Sequence, residues 1–87
     1  MKESLTQSKV IKKLKASGYF VTKIIQSSTN GIPDLLAIKN GKIFFVEIKS
    51  EKGKLSKLQE YRINQLKDHG VVTHIINNID QLCTTKF

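Results

Sequence analysis

One cysteine, Cys83, among 87 residues excludes an internal disulfide and a cysteine-based zinc cluster. It reads as a small hydrophobe of the C-terminal segment. Tryptophan is absent and aromatic residues make up 7%, within an apolar fraction of 39%. That composition suits one modest core and not two independent modules. No apolar run approaches the ~20 residues a membrane helix needs. The opening stretch, MKESLTQSKV, lacks the apolar h-region of a signal peptide. Internal repeats and low-complexity tracts are also missing. Together these absences predict a single domain over residues 1–87, working in the cytosol.

Acidic residues are the scarcest of the charged set. Seven Asp and Glu face fifteen Lys and Arg, a net charge of +8 and a pI near 9.8. Such a surface suits a polyanion, most often nucleic acid; the plainer alternative is solubility. Fourteen of the fifteen cations are lysine, which favours phosphate contact over base reading, where arginine is the commoner tool.

The pattern of apolar residues gives the elements. Leu5, Val10, Ile11 and Leu14 recur at helical spacing over residues 4–17. Ser4 with Gln7 fits a capping box, and Gly18 fits the residue just past the helix end. Residues 19–25 are aromatic and β-branched, predicting a strand, and 26–31 form a polar loop. A second strand is expected over 34–39 and a third over 42–49, joined by the hairpin signal Asn40-Gly41. Ser56 and Gln59 form a second capping box, opening a helix that runs to about His69 and stops at Gly70. A fourth strand covers 71–76, and a short helix is expected over 78–83. The order is α-β-β-β-α-β. The hairpin makes strands two and three antiparallel, and the crossover makes strands three and four parallel. The fold class is therefore α/β, a mixed four-stranded sheet flanked by helices.

The hairpin permits a sharper inference. With a two-residue loop, Lys39 faces Lys42, and counting outward brings Asp34 opposite Glu47. Two carboxylates would then stand about 5 Å apart, a destabilising pairing unless something compensates. A divalent cation compensates: hard cations such as Mg²⁺ take one or two carboxylates plus phosphate and water. Lys49 shares the strand face of Glu47, about 7 Å along it, and can stabilise charge developing on a phosphate. The alternative leaves Glu47 and Lys49 as a surface ion pair and Asp34 in a turn after Pro33.

These residues resemble a known family. Pro33-Asp34, followed by Glu47-Ile48-Lys49, match the short PD-(D/E)-x-K pattern of metal-dependent nucleases. The longer runs are more specific. Gly31-Ile32-Pro33-Asp34-Leu35-Leu36, Phe45-Val46-Glu47-Ile48-Lys49 and Gly53-Lys54-Leu55-Ser56-Lys57-Leu58-Gln59 look like the virus-type replication-repair nuclease (VRR-NUC) family. The resemblance spans Glu3 to about Gly70, and the element order is that superfamily's restriction-endonuclease-like core.

The resemblance implies roles. Asp34 and Glu47 correspond to the metal-binding acids, with the backbone carbonyl of Ile48 completing the protein ligands of Mg²⁺ or Mn²⁺. Lys49 corresponds to the catalytic lysine. Gln59 corresponds to a glutamine that positions water or the scissile phosphate, beside its capping role. Glu3 matches a first-helix acid that binds or orients metal, the alternative being a favourable charge at a helix N-terminus. Lys23 occupies a position often basic in the family, and Lys52, Lys54 and Lys57 would draw in the DNA backbone. His69 reads as a helix-end charge and His74 as a strand surface residue; Tyr19 and Tyr61 read as core or rim packing. Stand-alone, virus-associated members imply a homodimer that cuts branched DNA such as four-way (Holliday) junctions, encoded by a phage or bacterium and acting in the host cytoplasm. The rival class is a nucleic-acid-binding module that keeps the fold without catalysis. A nuclease of flaps or other DNA is a variant within the first class.

Overall fold

The computed structural model describes residues 3–50, 52–78, 80–81 and 87, and of Glu3 the backbone alone. Helix α1 spans Glu3–Ala16, followed by β1 (Phe20–Lys23), β2 (Leu35–Lys39), β3 (Lys42–Ile48), α2 (Lys57–Asp68) and β4 (Val72–Ile76). The expected order α-β-β-β-α-β is the observed one. The strands form one sheet in the order β1-β2-β3-β4, with β1–β2 and β2–β3 antiparallel and β3–β4 parallel.

Local chemistry sets the boundaries. Asn40 and Gly41 both adopt positive φ, at 50° and 81°, the requirement of a two-residue type I′ hairpin. The register follows, from Lys39 opposite Lys42 to Leu35 opposite Val46. Helix α1 ends as expected at Gly18, where φ is 90°. The Tyr19 amide donates to the Leu14 carbonyl and the Gly18 amide to the Lys15 carbonyl, a Schellman closure. Its start differs from the expected one. The helix already includes Glu3, so Ser4 sits inside it and is not its cap. Helix α2 begins as predicted, with Ser56 as N-cap and Gln59 completing the capping box.

Strand β1 is shorter than the expected 19–25. Tyr19 is taken up in closing α1, and β2 offers no rung beyond Leu35, the partner of Lys23. The terminal helix expected over 78–83 falls largely outside the described residues, as does Cys83.

Period-two alternation divides the sheet. Leu35 and Ala37 of β2, with Phe44, Val46 and Ile48 of β3, share one face. They bury against Val10 and Leu14 of α1, and Ile76 completes the core. His74 lies on this face as well. Contrary to its reading as a surface residue, its ring meets those of Phe44 and Phe87 edge-on at 5.0 and 5.2 Å. Burial and the nearby Lys42 ammonium lower its pKa. The parallel register accounts for this, pairing His74 on the edge strand with Val46, a fully buried residue of the inner strand β3. Tyr19 packs at the rim of the core, its ring 5.3 Å from that of Phe44, whereas Tyr61 is exposed.

The opposite face is less covered. No residue of α2 is buried, and a row across three strands, Phe20, Ile38 and Ile43, ends in two exposed side chains, Phe20 and Ile43. Among the described residues no helix is long and apolar enough to cross a membrane.

Candidate active site

The β2–β3 ladder stops one step short of the two acids. Beyond Leu35 and Val46, the backbone amide of Ile48 has lost its strand partner. The side chain of Asp34 replaces it, Oδ2 accepting from the Ile48 amide at 2.9 Å. The Asp34 carbonyl in turn accepts from the Ile24 amide at 2.8 Å. Buried backbone donors need such partners, so the end of the ladder dictates where this carboxylate goes. Pro33, fully buried, fixes the approach of the chain.

Glu47 is 2% exposed, an unusual position for a carboxylate. Its Oε2 accepts from Gln59 Nε2 at 3.1 Å. Burial, first, and the adjoining Asp34 carboxyl, second, push its pKa from 4.5 up to about 8, while the Lys49 ammonium acts the other way. An acid held so high needs either a proton or a cation beside it.

Gln59 makes the expected capping bond and, with the other end of its amide, a bond to the buried acid. Its Oε1 accepts from the Ser56 amide at 2.9 Å while its Nε2 donates to Glu47. The start of α2 and the buried acid are thus joined through one side chain.

These groups surround a cleft of about 410 Å³ lined by Asp34, Glu47, Ile48, Lys49, Gln59 and, from α1, Ser4 and Gln7. Of the sequence-predicted residues, the fold therefore brings together Asp34, Glu47, Ile48, Lys49 and Gln59. The side chain of Glu3 lies outside the described residues. Lys23 is exposed at the end of β1, one residue from Ile24 and its bond to Asp34. Lys52, Lys54 and Lys57 are exposed on the loop before α2 and on its first residue. His69 caps the far end of α2, its Nδ1 2.9 Å from the Gln65 carbonyl oxygen.

Three contributions escaped the sequence reading. Ser4 and Gln7 line the cleft, their i, i+3 spacing having been read only as a cap. Arg62, the sole arginine, donates from Nε to the Asn30 carbonyl at 2.9 Å and so ties the loop before Asp34 to α2. Its signal was its place three residues after Gln59, on the same side of the helix. Asn77 donates from Nδ2 to the Gly53 carbonyl at 3.3 Å, steadying the lysine-bearing loop.

Gly31 tightens the tie made by Arg62. Its φ is 83°, and a Cβ there would stand 3.0 Å from Leu58 Cγ and 3.2 Å from the Leu58 carbonyl oxygen. The close approach of loop to helix requires glycine. Gly31→Ala is expected to destabilise the fold by ~1–3 kcal/mol. Thermal unfolding should show this as a fall in Tm of roughly 4–8 °C per kcal/mol.

The donor set suits a hard divalent ion. Among the described residues no group of three or more His, Cys, Asp or Glu converges. Two carboxylates do, one of them buried beside a lysine. That is the scant protein ligation typical of Mg²⁺, which keeps waters and takes substrate phosphate oxygens. A proton on Glu47 near neutral pH marks the place such a cation would take.

Known proteins bear on this geometry. Comparison with curated proteins gives no match. A solved structure described as a VRR-NUC domain superposes with a TM-score of 0.85 at 26% identity, covering 94% of this chain and 90% of that one. The family model of the VRR-NUC domain matches residues 1–78, a span that takes in α1, α2, β1 to β4 and both acids of the cleft. The chain therefore belongs to the VRR-NUC family, and its fold is a nuclease-type fold that acts on DNA.

Proposed function

We propose that the protein is a divalent-metal-dependent endonuclease that hydrolyses phosphodiester bonds in branched DNA, with four-way junctions as the favoured substrate and a homodimer as the working unit. One observation carries the chemistry: a buried Glu47 beside Asp34, with Lys49 on the same cleft. A basic binding fold without catalysis has no use for a buried Glu47 set against a second, half-buried carboxylate, a pairing that lowers stability unless a cation joins it.

Asp34 and Glu47, with the Ile48 carbonyl, would hold the ion. A bound Mg²⁺ or Mn²⁺ supplies Lewis acidity and a water of lowered pKa. Asp34 is held by the Ile48 amide and Glu47 by Gln59, so both carboxylates already have fixed partners in the cleft. Lys49 brings a positive charge to the cleft, where it offsets charge that develops on the phosphate. Lys23, Lys52, Lys54 and Lys57 engage the backbone through long-range attraction. Mostly phosphate contact implies recognition of DNA shape.

The dimer is supported by two features. A chain of 87 residues offers one site little surface on which to grip a duplex. The exposed Phe20 and Ile43, and Tyr61 on α2, leave apolar area for a second copy. Two sites across a two-fold axis suit paired incisions in a four-way junction.

The test is cleavage of a labelled panel: four-way junction, flap, linear duplex and single strand, each with Mg²⁺, Mn²⁺ or EDTA. The molar mass in solution is measured alongside. Symmetric cuts in the junction by a dimer, absent in EDTA and in Asp34→Asn, are the expected result. Cleavage confined to another substrate would retain the chemistry and remove the junction assignment. Metal-independent binding with no cleavage would overturn the enzyme reading.

A further inference from the structure

We propose that the loop between β1 and β2 contacts DNA bases, with Ile25 packing against an unstacked base at the branch point; the proposal rests on the branched-DNA reading above. Ile25 is 91% exposed, well beyond Phe20 at 63% and every other large hydrophobic among the described residues. Full exposure of an isoleucine discards about 1.5–3 kcal/mol of burial, and the loop around it supplies no apolar shelter.

The composition of this loop is unlike the rest of the surface. From Ile24 to Pro33 no side chain is charged, although the segment lies between Lys23 and Asp34 in a strongly basic chain. Phosphate contact falls to the lysines. An uncharged segment has little to offer a phosphate, but hydroxyls, amides and an exposed apolar side chain such as Ile25 are what base edges and base faces accept.

Its placement is fixed by the cleft. At one end the Ile24 amide donates to the Asp34 carbonyl at 2.8 Å, and at the other the Asn30 carbonyl accepts from Arg62 at 2.9 Å. Within it, the Thr29 amide donates to Ser27 Oγ at 3.2 Å. The loop encloses a hollow of about 290 Å³ bordered by Ile24, Ile25, Gln26, Ser27, Thr29 and Asn30. It is therefore a shaped element clipped to the residue that bears the catalytic carboxylate and to the helix that bears Gln59. Through these two ties the loop adjoins the residues of the cleft, where nucleotides next to a phosphate held there would meet it.

The consequence is a source of selectivity. In a linear duplex the bases are stacked and offer no free face to an isoleucine. At a branch the crossover bases are partly unstacked, so an apolar contact there is gained without first breaking a stack. Ile25 would thus favour branched over linear DNA without reading sequence.

The test uses a four-way junction carrying 2-aminopurine at the branch point, bound in EDTA by the intact protein, Ile25→Ser or Ile25→Leu. Metal-dependent cleavage of junction and linear duplex is measured in parallel. Ile25 is exposed, so neither change disturbs the core. Wild type and Ile25→Leu should change the 2-aminopurine fluorescence alike, and Ile25→Ser should not. Junction affinity and cleavage by Ile25→Ser should fall roughly 5- to 100-fold, with linear duplex unaffected. Equal fluorescence from all three proteins, or equal losses on junction and duplex, would overturn the proposal. A lowered molar mass of Ile25→Ser would overturn it too, assigning the residue to a contact between copies. If wild type cleaves nothing, the nuclease reading fails by itself, and the fluorescence still decides the base contact.

Discussion

Glu47→Gln is expected to abolish metal-dependent cleavage and, at pH 8, to raise the stability of the metal-free protein. The two effects have one origin. In the folded chain Glu47 has a pKa of about 8, against an ordinary 4.5. It therefore binds a proton on folding between those values. Its contribution to stability is fully present below pH ~4.5 and is lost as pH rises through about 8, a loss on the order of a few kcal/mol. The substituted amide does not titrate. It keeps the acceptor that Gln59 needs and presents a donor towards Asp34, as the proton does. Wild type without metal should lose thermal stability between pH 5 and pH 8, and the variant should be nearly flat over that range. Mg²⁺ added at pH 8 should stabilise wild type alone, and at pH 5 the proton should outcompete it. Cleavage should fall at least ~1000-fold, since a lost metal ligand removes several kcal/mol of charge stabilisation. Thermal melts at the two pH values with and without Mg²⁺, beside single-turnover cleavage, check all of this. A variant as pH-sensitive as wild type would show that Glu47 is not the titrating acid.

Lys49→Ala should separate binding from chemistry. Lys49 lines the cleft beside the acids and is only partly buried, so truncation leaves the core intact. Removing one positioned charge from a phosphoryl site lowers the chemical step on the order of 100- to 1000-fold. DNA affinity, spread over many lysines, should fall less than tenfold, the weight of one phosphate contact among several. The fall should appear in single-turnover rates at saturating protein, with the apparent Kd nearly retained. The same variant also removes the charge that favours ionised Glu47. Its metal-free melting curve should therefore reach the high-pH loss of stability at a still higher pH. A loss of affinity as large as the loss of rate would recast Lys49 as a phosphate anchor.

The order and direction of the strands were legible because turn chemistry was decisive. Asn40-Gly41 set the hairpin, hence the register, hence the meeting of Asp34 and Glu47. Ser56 and Gln59 marked the start of α2, and Gly18 and Gly70 marked the helix ends, both with positive φ. What the sequence hid was tertiary. Period-two reasoning carried Asp34 across from Glu47 but could not foresee that its side chain would stand in for a missing strand rung to Ile48. Ser4 looked like a cap because a Ser-x-x-Gln pattern is the same whether or not another turn precedes it. His74 looked exposed because β4 alternates only weakly; its burial depends on which residue of β3 it meets. The tie from Arg62 to Asn30 spans 32 positions, a separation over which local pattern is silent.

The double engagement of Gln59 restricts what evolution can do at that position. A glutamate would complete the capping box with Ser56 as well as glutamine does, and measured on the helix alone the exchange would pass as neutral. It would, however, set a third carboxylate against Glu47 and take away the amide donor that this acid receives. Among the side chains that close a capping box, only the primary amide is acceptor at one end and donor at the other. Selection for helix initiation and selection for the cleft therefore act on the same atoms. Sequences drifting under the first constraint alone would lose the second at a single substitution, with the fold still standing.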